Sequence, residues 1–299
     1  MVFPIVGGTQ DDAYEVSNSI RLNDNDSQYL YRAFDSEPTS RKTFTASLWV
    51  KRSNLSFNTT FFNASTTNNF YDQALMFDSN DNLRTINVAS GSTAVEVITN
   101  RKFRDSSAWY HIVLAIDTTE AAVADGVKIY VNGVQETSFG TTTYSQNATY
   151  ELGRNGSTTS IGRQQLNGSQ YFDGYLSEIH YIDGQQLAPT EFGETNSQGI
   201  WVPKEYKGTY GNNGFYLEFK QTGTSGNSSG MGADTSGNDE HFTPDNLAAK
   251  DVVVDVPTNN FMVMNKLFTN SRGIYREGHT QVQTQVQGSE PYGQVEFGN

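Results

Sequence analysis

The stretch Trp109-Tyr-His-Ile-Val-Leu-Ala-Ile-Asp117, followed after a short gap by Val127-Lys-Ile-Tyr-Val-Asn-Gly133, decides the fold. The first segment is almost continuously apolar, interrupted only by His111, as expected of a strand covered on both faces. In the second, Val127, Ile129 and Val131 alternate with Lys128 and Tyr130, which gathers the apolar side chains on one face of a strand. It runs into Asn132-Gly133, a pair that tolerates φ > 0 at both positions and so predicts a two-residue hairpin turn.

The same pattern extends outward. Phe44, Ala46, Leu48 and Val50 alternate with Thr45, Ser47 and Trp49, and Tyr175 to Ile182 alternates up to the turn pair Asp183-Gly184. Phe215 to Phe219 and Val252 to Val256 read as later strands, and Gln221 to Asn238 between them as a polar loop. Short helices are predicted only at Glu120–Ala124 and at Pro189–Phe192, the latter opened by proline in its first turn. Many short strands separated by Asn, Asp, Gly and Ser predict an all-β sandwich or barrel. The division expected is an N-terminal arm (1–13), a sandwich (14–256, with a core at 14–194 and an extension at 195–256) and a C-terminal arm (257–299).

Composition narrows the function. Of 299 residues, 35% are hydrophobic and 18% charged, while 16 Tyr, 18 Phe and 3 Trp supply the large apolar groups that a disordered chain lacks. The formal charge of −13 disfavours nucleic acid and anionic lipid as partners. With no cysteine, disulfides, thiolate catalysis and Cys-ligated zinc are excluded. No apolar run is long enough for a membrane-spanning helix. Met1 to Gly8 lacks the basic region and apolar stretch of a signal peptide, and none is expected.

Three ordered motifs carry a resemblance: Ala46-Ser-Leu-Trp-Val-Lys-Arg52, the Trp109–Asp117 and Val127–Gly133 pair, and Leu152-Gly-Arg154 with Ile161-Gly-Arg163 leading to Phe172-Asp-Gly-Tyr-Leu-Ser-Glu-Ile-His-Tyr-Ile-Asp183. Together they resemble the laminin-G/concanavalin-A-like jelly roll over about Tyr14 to Glu194. The resemblance implies two packed antiparallel sheets of six or seven strands each, and a lectin-like role. Asn18–Asn23, Asp183–Glu194, Gly199-Ile-Trp-Val-Pro-Lys204, Gly214-Phe-Tyr-Leu-Glu-Phe219 and Pro257–Phe261 are similar to virion proteins of marine tailed phages. That similarity implies a virion-surface location on a tail fibre or capsid exterior, other virion proteins as partners, a homo-oligomer, and a host surface glycan as ligand. A structural decoration that binds protein only and a polysaccharide depolymerase are the alternatives.

Glucanases of this superfold carry Glu-x-Asp-x-x-Glu along one strand face, to flank the scissile bond with acid and nucleophile. No Glu-x-Asp occurs here. Glu178 stands alone and is expected to be a partly exposed strand residue, so no enzyme activity is expected. Gly226-Asn-Ser-Ser-Gly230 matches a nucleophile elbow in letters but sits in a polar loop without the strand and helix an elbow needs. His111 and His180 fall within strands and read as structural, hydrogen-bonded histidines. No cofactor is required, although Asp78, Asn80 and Asn82 form an oxygen-rich turn that could hold Ca²⁺ or simply turn the chain. Sugar recognition needs aromatic faces and amide or carboxylate partners. Phe57 to Tyr71 is read as an aromatic-rich loop with Phe61, Phe62, Asn68 and Tyr71 as its candidates, packing on its own domain being the other reading. Gln281 to Gln287 alternates Val282, Thr284 and Val286 against glutamines and has no sequential partner, so it is expected to add to a sheet edge, in a neighbouring subunit or virion partner, as an assembly strand.

Overall fold

The computed structural model describes residues 14–67 and 70–261, together with short strands at 273–276, 281–284 and 294–296. Among the described residues, the alternating segments form two antiparallel eight-stranded sheets. One sheet runs β10 (Val134–Gln135), β9 (Val127–Val131), β8 (Tyr110–Asp117), β3 (Thr43–Arg52), β13 (Gly174–Asp183), β1 (Ser19–Leu22) and β18 (Val252–Val253), with β16 (Phe215–Leu217) also paired to β13. The other runs β11 (Phe139–Tyr144), β7 (Ser92–Lys102), β6 (Asn82–Ala89), β5 (Phe70–Phe77), β4 (Thr59–Thr67), β12 (Thr158–Ile161), β2 (Tyr29–Ala33) and β17 (Thr243–Asp245). Each sheet is wider than the six or seven strands expected, because the extension donates β16 and β18 to one and β17 to the other. No helix among the described residues is long and apolar enough to cross a membrane.

Strand alternation builds the main core. Phe44, Ala46, Leu48 and Val50 enter it from β3, and Ile112, Leu114 and Ile116 from β8, meeting Phe61, Phe62, Leu75, Phe77 and Val97 of the second sheet. The outer face of the first sheet is also covered. Phe192 and Tyr206 pack on Val113 and Ile182, while Val253 and Trp201, the latter from the small hairpin of β14 (Gly193–Thr195) and β15 (Trp201–Pro203), close over Trp49, Trp109 and Tyr175. This second layer explains why Trp109 to Ile116 reads apolar on both faces. The hairpin at Asn132-Gly133 has φ of 49° and 78° and places Val134 opposite Val131, the left-handed pair its sequence predicts.

Buried ion pairs fasten the extension. The Lys51 side chain is fully buried, with Nζ 2.8 Å from Asp255 Oδ2, and Trp109 Nε1 donates to Asp255 Oδ1 at 3.1 Å. Arg21 pairs with Asp251 at 3.2 Å. The predicted helices are single turns, Val123–Gly126 and Pro189–Glu191.

Three readings of the sequence are corrected. Phe57 to Tyr71 is not a loop: it contains β4 and the start of β5, which pair as a hairpin. Gln281 to Thr284 (β20) does have local partners, pairing with β19 (Gly273–Arg276) on one side and β21 (Gln294–Glu296) on the other. Its backbone groups are thus taken up within the C-terminal arm; Val282 and Thr284 lie in β20, and Val286 lies outside the described residues. Glu178, lastly, is buried at 5% exposure: a bulge shifts the β13–β3 register between Ser177 and His180, and Tyr14 and Tyr216 cover the carboxyl.

Candidate functional site

Three loops meet at one rim of the sandwich: the turn Asp24–Asp26, the β3–β4 connection and the segment after β12. Between them lies an open cleft of about 450 Å³ lined by Asp24, Phe57, Asn58, Thr59, Gln170 and Tyr171. Phe57 is 57% exposed. The Tyr171 ring sits 6.4 Å from Tyr29, and Tyr29 is 5.7 Å from Tyr31. Leu30 between these two tyrosines points into the core, so alternation puts Tyr29 and Tyr31 together on the outer face of β2. The aromatic surface therefore continues from the cleft onto the sheet.

The loops are held rigidly by side chains. Asn54 Nδ2 donates to Asp24 Oδ2 at 2.6 Å and Asn25 Nδ2 to Asp24 Oδ1 at 2.9 Å. Asn58 Oδ1 accepts from the Ser79 amide at 2.9 Å. Gln170, at φ 53°, accepts from the Thr60 amide through its carbonyl at 2.9 Å and from Thr60 Oγ1 through Oε1 at 3.0 Å. Arg163 lies with Cζ 3.5 Å above the centre of the Tyr29 ring, and its Nη2 donates to Gln165 Oε1 at 3.1 Å. The Gln165 amide in turn donates to Asn63 Oδ1 at 2.7 Å. Burial raises the Tyr29 hydroxyl above its ordinary range, while Arg163 opposes that rise. Flat rings beside fixed amides and a carboxylate suit a ligand with C–H faces and hydroxyl edges, which is the surface of a sugar.

The sugar candidates from the sequence fall elsewhere. Phe61 and Phe62 are fully buried; Phe61 packs on Phe77 and Phe172, and Phe62 on Tyr181 and Phe215. A bulge in β4 turns both of these consecutive rings inward. Tyr71 is half-buried on β5 opposite Ser65, at the far end of β4 from the cleft residue Thr59. Asn68 lies outside the described residues. Tyr29, Tyr31, Arg163, Gln170 and Tyr171 were not anticipated. The Tyr-Leu-Tyr alternation at 29–31 was their available signal.

The oxygen-rich turn is organised by its own backbone. Asp78 Oδ1 accepts from the amides of Asn80 and Asn82 at 2.8 and 2.9 Å. Asn82 turns its Nδ2 to the carbonyls of Thr99 and Arg101, and the Asn80 carbonyl accepts from Lys102. The neighbouring Asp81 is neutralised by Arg52 at 3.1 Å and Arg104 at 2.9 Å. It also accepts from the Ser56 amide at 2.7 Å, which ties this turn to the cleft loop. Donors converge on Asp78 Oδ1, and arginines supply the positive charge beside Asp81, which supports the turn reading of these residues. Among the described residues there is no group of three or more His, Cys, Asp and Glu side chains suited to a metal.

Two buried histidines and one carboxyl complete the inventory. His111 Nδ1 accepts from Trp201 Nε1 at 2.9 Å; because indole only donates, Nε2 carries the proton and donates to Ser47 Oγ at 2.9 Å. His180 stacks on Tyr216 with ring centres 4.1 Å apart. Glu178 Oε2 accepts from Tyr14 Oη at 2.7 Å and from Tyr216 Oη at 2.6 Å, and those two hydroxyls are 2.6 Å apart. Burial is the main reason its pKa is raised from 4.5 to about 7.

Residues 24–191 match the profile of the concanavalin A-like lectin/glucanases superfamily. The chain belongs to that superfamily. The match spans both sheets and all three loops of the cleft. Among solved structures, this member of the superfamily is similar to the native heptameric SAP-like pentraxin of Limulus polyphemus, at 16% identity and a TM-score of 0.43, covering 59% of this chain and 80% of the pentraxin. A putative carbohydrate binding protein from Bacteroides ovatus is similar at 17% identity and a TM-score of 0.48, covering 78% of this chain and 59% of that one. Domain 4 of an extracellular arabinanase from Geobacillus stearothermophilus, in complex with arabinotriose, is similar at 19% identity and a TM-score of 0.42, covering 60% and 81%. No curated protein sequence matches the chain.

Proposed function

We propose that the chain is a non-enzymatic, glycan-binding component of a tailed-phage virion surface, and that the Phe57–Tyr171 cleft is its sugar site. The observation that carries the sugar reading is the exposed Phe57 ring in a cleft shared with Tyr171 and with the polar groups of Asp24, Asn58 and Gln170. The virion reading rests on the resemblance of Gly199–Lys204 and Gly214–Phe219 to phage proteins. Host attachment is the role such a site would serve there, with other virion proteins and further copies of the chain as partners. The reading of binding without bond cleavage is supported by the enclosure of Glu178 between Tyr14 and Tyr216.

A glycan array tests the sugar reading directly. Wild type should bind a restricted set of oligosaccharides, and Phe57→Ala and Tyr171→Ala should each weaken binding by about tenfold, some 1.4 kcal/mol, with unchanged melting temperature. Binding that survives both substitutions would place the site elsewhere. Antibody against the chain should label intact virions, and failure to do so would refute the location. A second reading, a decoration that binds protein only, is supported by Val134 and Ile200, 69% and 55% exposed, on either side of the contact between Gly133 and Trp201. That reading expects an empty array and loss of assembly on Ile200→Asp.

A further inference from the structure

Nine arginines have described side chains, and eight of them hold a carboxylate at 2.5 to 3.2 Å. Arg163 is the exception among the described residues. Its guanidinium rests on the Tyr29 ring, gives one hydrogen bond to Gln165, and leaves Nε buried with no partner. In a chain of net charge −13, carboxylates outnumber cations, so an arginine without one marks a position where the fold supplies a cation and withholds its counterion. Asp245 lies in register beside Tyr29.

The setting points to a ligand. Tyr29 joins Arg163 to Tyr171, which lines the cleft. A guanidinium stacked on an aromatic face is held in one plane, so its remaining N–H groups point sideways along that face as a preorganised fork. Such a fork matches the two oxygens of a carboxylate or sulfate. The loop that carries it is closed by the Gln164 amide donating to the Ser169 carbonyl at 2.9 Å, so the fork is fixed before any ligand arrives.

We infer that the glycan bound along the Phe57–Tyr171–Tyr29 surface carries an acidic sugar, a uronate or a sulfated residue, and that Arg163 pairs with its anionic group. The inference rests on the cleft being a sugar site. The charge-assisted pair selects among glycans, and the rings supply binding common to acidic and neutral ones.

The test uses the full chain and pairs of oligosaccharides matched in backbone. One pair is an oligouronate and its carboxyl-reduced neutral counterpart; the other is a sulfated oligosaccharide and its desulfated form. Wild type should bind one acidic member at least tenfold more tightly than its neutral match, as a charge-assisted hydrogen bond is worth about 1.5–3 kcal/mol. Arg163→Gln should lose that preference, its affinity for the acidic member falling to that for the neutral member. Arg163→Lys, which keeps the charge and loses the fork, should retain only part of the preference. Which pair shows the effect separates carboxylate from sulfate. Equal binding of acidic and neutral members by wild type, or a preference that survives Arg163→Gln, overturns the inference and leaves the sugar site standing. If no glycan binds, the sugar site itself is wrong and the inference fails with it.

Discussion

Glu178 shows how much one residue can hold. Its Oε2 and the hydroxyls of Tyr14 and Tyr216 form a triangle with every side between 2.6 and 2.7 Å. Both hydroxyls donate to Oε2 and favour the ionised carboxylate, but burial outweighs them and raises the pKa to about 7. His180 Nε2 at 4.0 Å and the nearby Glu218 and Lys220 are the other titratable groups that bear on it. The sign is set by the raised pKa: the neutral carboxyl's contribution is full below about pH 4.5, where the unfolded carboxyl is also protonated, and is lost as pH rises to about 7. The shift corresponds to roughly 3 kcal/mol. Glu178→Gln keeps a donor and an acceptor without ionising, so it should melt higher than wild type at pH 8 and close to it at pH 4.5; equal melting at both would show that the carboxyl is not held neutral. The residue was misread because strict alternation was assumed through 175–182. Leu176 and Ile179 both enter the core, and that spacing of three is the trace of the bulge in the sequence. The same limit hid the proposed sugar site, because composition counts rings without telling Phe61, in the core, from the exposed Phe57.

Elements were more legible than residues, since period and turn chemistry are local. The Asn132-Gly133 hairpin followed from its dipeptide, and the structure adds a second constraint: a Cβ at Gly133 would lie 2.5 Å from the Trp201 ring. Replacing the pair with Val-Val should therefore cost about 2 kcal/mol or more from backbone strain alone, with further loss as Trp201 is displaced. A melting temperature within a degree of wild type would contradict the turn. The extension's attachment was illegible, because a buried ion pair joins residues as distant as Lys51 and Asp255. Removing one partner leaves the other charge buried, so Asp255→Ala should cost about 3–5 kcal/mol. Truncation after Phe261 leaves every strand of both sheets in place and should preserve the melting temperature; truncation after Asn246 removes Asp251 and Asp255 and should abolish the cooperative transition. Chelator should leave that transition unmoved, since Arg52 and Arg104 take the place of a cation at the 78–82 turn; unfolding by EDTA would reinstate a metal.

At the scale of the whole molecule, four buried groups pull stability in opposite directions with pH. Burial lowers His111 and His180 to about 3, so their unfolded forms take up protons first and stability rises with pH from about 3 to 6.5. Burial raises Asp72 and Glu178 to about 7, so their contribution falls with pH over about 4 to 7. From these four groups the melting temperature should be nearly level between pH 4.5 and 6.5 and drop below pH 4, where of the four only the histidines still titrate; a steady climb across the middle range would mean that the two carboxyls are ionised in the fold. The sandwich supports this buried polar chemistry and still leaves one rim open at Phe57, Gln170 and Tyr171. Amide and aromatic chemical-shift mapping with a bound oligosaccharide is the most direct test of that rim as the binding site. Shifts should concentrate on Asp24, Tyr29, Phe57, Arg163, Gln170 and Tyr171, whereas shifts centred on Tyr71 and the β5–β6 face, or none at all, would contradict the account.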